Sequence, residues 1–139
     1  MEKLNNRTID VIVPFYNEQE VIEEFIKELE IEIGKINKTN KDIKFNCIFV
    51  ENGSSDDTFE ILSKLSKDKE FKIVKLVRNF GIDGGIRAGL SKSKGDAAVI
   101  LHGDLQDNPK IINKLLSSWN EGYEQVLVRY KAKDRESLY

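Results

Sequence analysis

Gly95–Pro109 reads GDAAVILHGDLQDNP, and the abrupt change of character within it decides the fold. Ala97–Leu101 is a short apolar run that reads as a buried strand. It empties directly into Asp104-Leu105-Gln106-Asp107 and then Pro109. Two carboxylates and an amide at a strand's carboxyl end are poor packing material. They suit a divalent metal and the phosphates it carries.

Outward from this stretch the chain alternates strand and helix. Ile9–Pro14, Phe45–Val50 and Phe71–Val77 read as earlier strands, and Gln125–Arg129 as a candidate fifth. Glu18–Ile36 carries Ile22, Phe25, Ile26, Leu29, Ile33 and Ile36 at helical spacing. Ser55–Lys67, Gly84–Ser93 and Pro109–Asn120 read as further helices, the last with proline in its first turn, and Lys38–Lys44 as a polar loop. Repeated strand and helix, with largely apolar strands, predicts an α/β fold: a Rossmann-like, mostly parallel sheet with helices on both faces. No repeat, low-complexity tract or linker divides residues 1–139, so one domain is expected.

Bulk composition narrows the function classes. Lys+Arg of 22 against Asp+Glu of 24 leaves a net charge of -2, which gives no nucleic-acid footprint. The single cysteine, Cys47, excludes an intrachain disulfide and reads as a small buried hydrophobe. No apolar run approaches the roughly 20 residues that span a bilayer, and Met1-Glu2-Lys3 opens no signal peptide. A location in the cytoplasm or at the cytoplasmic face of a membrane is expected, with membrane association arising only through other segments or partners.

Each of the first four strands is followed by a polar or glycine-bearing cluster. These are Pro14-Phe15-Tyr16-Asn17-Glu18, Glu51-Asn52-Gly53-Ser54-Ser55-Asp56-Asp57, Arg78-Asn79-Phe80-Gly81 and His102-Gly103-Asp104-Leu105-Gln106-Asp107. In a parallel sheet all four share the carboxyl edge, where open α/β folds bind ligands. Several residues also have plain structural uses. Asn17 or Glu18 suits capping of the first helix, Ser54, Ser55 and Asp56 capping of the second, and Asp107 capping of the helix after Pro109. Arg78 suits either solvent or a phosphate. Gly81, Gly84 and Gly85 suit a tight turn or a close backbone approach to phosphate, without dinucleotide-fingerprint spacing. His102 suits a hydrogen-bonded structural role or a ligand contact. Capping does not account for Glu51 and Asn52, and Asp104 has few structural excuses.

Mg²⁺ or Mn²⁺ held by Asp104, with Gln106 beside it, would neutralise the charge on a departing diphosphate. Glu51 or Asn52 at the neighbouring strand end can read a nucleobase or ribose. The sum is a nucleoside-diphosphate-bound substrate.

The stretches VIVPFYNEQEVI, FVENGSSDDTFEIL, VRNFGIDGGIRAGLSKSKGDAAVILHGDLQDNP and, weakly, GYEQVLVRYKAKDRES resemble family-two glycosyltransferases of the GT-A fold. They are most similar to the branch of dolichyl-phosphate mannose synthase and the bacterial polyprenyl-phosphate glycosyltransferases. The resemblance implies an inverting transfer from a UDP- or GDP-linked sugar to a polyprenyl phosphate or cell-surface glycan, with the fold being the nucleotide-binding half of GT-A. It implies that Pro14, Tyr16 and Glu18 border the nucleotide, that Glu51-Asn52 takes the place of a paired-acid motif contacting base and ribose, and that Arg78 and Gly81 lie near the donor. Asp104 would be the second acid of the DxD-type motif, with Gln106 beside it at the metal. His102 stands at the first acid and would border the donor.

Two departures follow. Asn52 replaces one acid of the pair, and His102 replaces the first acid of the DxD-type motif. The family's catalytic base and acceptor half lie beyond residue 139, so the chain is expected to be a donor-binding portion with no base of its own to assign. The competing readings are a degenerate, non-catalytic binding module and a nucleotidyltransferase. The second expects a glycine- and basic-rich loop after the first strand, which PFYNE is not.

Overall fold

The computed structural model describes residues 6–129. Eight elements alternate: β1 (Arg7–Phe15), α1 (Ile22–Thr39), β2 (Ile43–Glu51), α2 (Thr58–Leu65), β3 (Lys72–Lys75), α3 (Gly81–Ser91), β4 (Ala97–Ile100) and α4 (Ile111–Asn120). The four strands form one sheet in the order β3-β2-β1-β4, and every pairing is parallel. The expected α/β architecture is therefore present.

Strand alternation assigns the two faces. Ile9, Val11, Val13 and Phe15 of β1 point into the main core with Phe25, Ile26 and Leu29 of α1, Leu62 of α2, and Ile112 and Leu116 of α4. Phe15 meets Phe25 and Phe49 edge to face, at centroid separations of 5.8 and 5.5 Å. On the opposite face Ile12 and Pro14 meet α3. That helix lies close to the sheet because Gly85 and Gly89, one turn apart, present no side chain to it. A Cβ on Gly89 would collide with Ile12, and one on Gly85 would come 3.1 Å from Pro14 Cβ. Ala98 and Ile100 of β4 remain exposed on this second face.

Several boundaries differ from the sequence reading. Residues 18–21 form a turn, with the Glu18 carbonyl accepting from the Val21 and Ile22 N–H groups, so α1 begins at Ile22. Helix α3 begins at Gly81, three residues early, because Gly81 at φ 76° turns the chain while Asn79 Oδ1 takes its N–H. Residues 125–129 form no strand. Val126 and Val128 instead line a groove with β4 and α4, which uses their apolar character without a backbone ladder. Residues 38–44 are not one loop, since α1 runs through Thr39 and β2 begins at Ile43. Cys47 is half-buried rather than buried; burial, then Glu30 and Asp10, push its thiol up to about 12, so it is inert as expected. Residues 1–5 and 130–139 lie outside the described residues.

The placement of β4 depends on Asp10, a buried carboxylate in the middle of β1. Its Oδ2 accepts from Ser93 Oγ at 2.6 Å, Lys94 N at 2.9 Å and Gly95 N at 2.8 Å, and its Oδ1 from Asn46 Nδ2 at 3.3 Å. Thr8 N and Asp96 Oδ2 add a further bond at 2.7 Å. The turn before β4 is thereby fastened to β1, which sets the register Ile9↔Ala97 through Ile12↔Ile100.

Burial alone would raise the Asp10 pKa. The Ser93 hydroxyl, the Gly95 and Lys94 N–H groups and the Asn46 amide outweigh it and hold the carboxyl below its ordinary value. The resulting stability is complete above the unfolded aspartate pKa of ~3.9 and is lost as pH falls through the lower native value. Asp10→Ala should cost about 2–4 kcal/mol at pH 7, because four part-buried donors lose a charged acceptor. Urea unfolding should show that difference narrowing below about pH 4, where Asp10 of the unfolded chain protonates first and native Asp10 follows at lower pH.

Candidate functional site

The carboxyl ends of the strands lie along one edge: Phe15↔Glu51 and Glu51↔Lys75 are paired, and Leu101 N–H continues onto the Ile12 carbonyl. The four strand-end clusters therefore share this edge. Strand order runs outward from β1 to β3 and then returns to the other side of β1, so the topological switch point is the crevice between β1 and β4. Glu18 follows β1 and Asp104 follows β4.

These two carboxylates interact electrostatically. Burial raises the Glu18 pKa first, and the negative charges of Asp104 and then Asp56 raise it further. Glu18 thus feels the charge of two acids carried on other loops. Asp104 directs Oδ1 to the Gln106 N–H at 3.0 Å, and Leu105 between them sits at φ 65°. A left-handed backbone at a leucine costs roughly 1–2 kcal/mol. Packing of the Leu105 side chain against the core compensates. Gly103 lies flat on Phe15, where any Cβ would collide with the ring, so the loop sits directly on the buried end of β1. His102 is exposed. Its N–H donates to Asp107 Oδ2 at 2.9 Å, so Asp107 reaches back to the strand end instead of capping α4. Asn108 Oδ1 takes the Lys110 N–H at the start of that helix.

The expected cap of α1 is also relocated. Asn17, at φ 51°, sends Oδ1 to the Ser55 N–H at 2.9 Å, so it serves the loop before α2, and α1 has no side-chain cap. The two loops clasp reciprocally. Ser54 Oγ accepts from Asn17 N, Thr58 Oγ1 from Glu18 N, Asp56 Oδ2 from Gln19 N, and Gln19 Oε1 from Asp57 N. Asp56 Oδ1 also takes the Thr58 N–H, as its expected capping role requires. Sequence reasoning missed this clasp because its partners lie 37–40 residues apart.

The remaining predicted residues divide by exposure. Tyr16, Arg78 and Gly81 are exposed, and Pro14 is half-buried. Glu51 and Asn52 are buried. Glu51 Oε1 takes the Ser54 N–H at 2.7 Å, and the Asn52 amide is bound to residues 80 and 81.

Among the described residues, no three metal-ligating side chains of His, Cys, Asp or Glu are gathered closely enough to form a cage. A hard cation that shares its coordination with phosphate needs fewer protein oxygens. Asp104 and Gln106 offer oxygens, and a cation beside Glu18 and Asp104 would relieve their repulsion.

The sequence profile described as glycosyl transferase family 2 matches residues 10–138. The chain belongs to that family. It is 40% identical over 125 residues to the Bacillus subtilis uncharacterized glycosyltransferase YkcC, covering 88% of this chain and 37% of the relative. It is 30% identical over 122 residues to the undecaprenyl-phosphate 4-deoxy-4-formamido-L-arabinose transferase of Salmonella choleraesuis, covering 86% and 36%. The chain thus spans well under half the length of these relatives. Among solved structures, S. aureus TarS 1-349 superposes with a TM-score of 0.60 at 22% identity, over 88% of this chain and 38% of that one. TarS 1-349 in complex with UDP gives 0.58 at 22% identity, with the same shares covered. At that identity the likeness concerns the fold. No helix among the described residues is long and apolar enough to cross a membrane.

The electrostatic coupling of Glu18 to Asp104 has a direct readout. In a carboxyl-carbon NMR titration Glu18 should titrate above the ordinary glutamate value, and Asp104→Asn should move it down. A Glu18 pKa indifferent to Asp104→Asn would separate the two groups.

Proposed function

We propose that this chain is the donor-binding portion of an inverting glycosyltransferase that takes a sugar from a UDP- or GDP-linked donor with the help of Mg²⁺ or Mn²⁺. The observation that carries the reading is the placement of Glu18, after β1, and Asp104, after β4, on either side of the switch point between those two strands. Open parallel sheets bind nucleotides at such a crevice, and clustered acids at a phosphate site call for a cation.

In this reading Pro14, Tyr16 and Glu18 border the nucleotide on the β1 side. Asp104 and Gln106 offer oxygens to the metal, and His102 borders the donor from the same loop. Arg78 and Gly81 approach from the far side of β2. Glu51 braces the turn at Ser54 from beneath, and Asn52 lies beside it. A bound metal would neutralise charge on the departing diphosphate. The chain's own contribution is to hold and orient the donor.

The acceptor proposed is a polyprenyl phosphate, met at the cytoplasmic face of a membrane. Support comes from the relative named as an undecaprenyl-phosphate arabinose transferase. Support for the nucleotide comes from the UDP complex of TarS 1-349, whose fold this chain shares.

Calorimetric titration with UDP and GDP, each with and without Mg²⁺ or Mn²⁺, tests the donor site. One nucleotide should bind, and the metal should tighten it. Asp104→Ala should remove the metal-dependent part, a loss of about tenfold or more, equivalent to ~1.4 kcal/mol. Binding of neither nucleotide would favour the degenerate-module reading, and metal-dependent binding unchanged in Asp104→Ala would remove Asp104 from its role.

A further inference from the structure

Asn52 occupies a position where the family resemblance implies contact with base and ribose, yet its side chain is turned elsewhere. It is 3% exposed. Its Oδ1 accepts from the Phe80 N–H at 3.1 Å, and its Nδ2 donates to the Gly81 carbonyl at 2.9 Å. Both ends of one amide are thus bound to two successive residues, 28 and 29 positions later, where β3 gives way to α3.

The neighbours reinforce this joint. Gly53, at φ 72°, lies so close to the Arg78–Asn79 peptide that a Cβ would collide with it. A Cβ on Gly85 would come 3.2 Å from Asn52 Nδ2. Arg78 projects from the same turn, with its guanidinium 4.0 Å from the centre of the Phe80 ring. Arg78 is therefore oriented by Phe80, and the Phe80 backbone is held by Asn52.

We propose that Asn52 is a positioning residue that acts through Phe80 to fix Arg78 for the donor diphosphate, and is not itself a nucleotide contact. This rests on the donor-binding reading above. Only a group that both donates and accepts can serve the Phe80 N–H and the Gly81 carbonyl at once. A carboxylate at position 52 would keep the bond from Phe80 but turn its second oxygen on the Gly81 carbonyl, setting two acceptors face to face at a side chain that is itself buried. Asn52→Asp would restore the paired-acid pattern of the family. The proposal predicts that it weakens donor binding, whereas a direct nucleotide contact predicts that it preserves or strengthens it.

The test is a double-mutant cycle on the full chain, read by calorimetry with UDP and GDP in the presence of Mg²⁺. The proteins are wild type, Asn52→Asp, Arg78→Ala and the double variant. Asn52→Asp and Arg78→Ala should each weaken nucleotide binding by about tenfold, and the double variant should lose little beyond Arg78→Ala alone, since coupled residues are not additive. Circular dichroism establishes that each variant is folded. Should Asn52→Asp fail to fold, Asn52→Ala, which removes both bonds without burying a charge, completes the same cycle.

Asn52→Asp binding as well as wild type, or losses that multiply in the double variant, would overturn the proposal while leaving the donor site intact. Wild-type protein that binds neither nucleotide would overturn both.

Discussion

A buried carboxylate with no nearby cation must find donors, and the demand of Asp10 organises this fold. Buried charge is tolerated when hydrogen bonds replace water. Asp10 obtains them from the Ser93–Gly95 turn. That requirement draws β4 to the free side of β1, although β3 precedes it in the chain and has an open edge. Reversal of strand order at β1 is what creates a crevice. Had β4 continued beyond β3, Glu18 and Asp104 would stand three strands apart. A polar residue in the middle of a strand thus determines where the acids of a distant loop can meet.

Around that crevice, structural and chemical duties fall to different atoms. The reciprocal clasp between residues 17–19 and 54–58 uses backbone N–H groups and the side chains of Asn17, Ser54, Asp56 and Thr58. Only the main chain of Glu18 takes part in it, which leaves the carboxylate outside the clasp. The loop bearing Asp104 is fixed from below by Gly103 on Phe15 and from behind by Asp107 on the His102 N–H. Such support matters because acids that repel one another spread apart unless the backbone carrying them is rigid.

The fold was largely legible because it rests on local signals. Apolar runs of strand length alternate with helical periodicity, and that pattern survives whatever the tertiary detail. The misplaced boundaries at Glu18 and Gly84 arose where turn chemistry competes with helix propensity. Gln125–Arg129 shows the limit of alternation, since Val126 and Val128 pack beside β4 without any ladder. The site was legible as a set of clusters, because parallel strands put their carboxyl ends together. Which member did what was not legible. Asn17 reads as a local cap and serves another helix, Asp107 reads forward and reaches backward, and Asn52 reads as a ligand contact while bracing a turn. In each case the partner is chosen by three-dimensional proximity, which spacing along the chain does not encode.

The Asn52-Gly53 pair has a further consequence, for chemical ageing. An asparagine followed by glycine is the dipeptide in which the side-chain amide is most easily lost, because the next backbone nitrogen reaches the amide carbon unhindered by a Cβ. In the folded chain the Asn52 amide must break two hydrogen bonds before it can swing into that reaction, and the Gly53 backbone is wedged against Arg78–Asn79. The native joint therefore shields its own weakest amide. Loosening it, by heat or partial unfolding, opens a slow hydrolysis that replaces the amide with a carboxylate and leaves a joint that no longer closes as it did. The integrity of this one side chain thus records how long the protein has stayed folded.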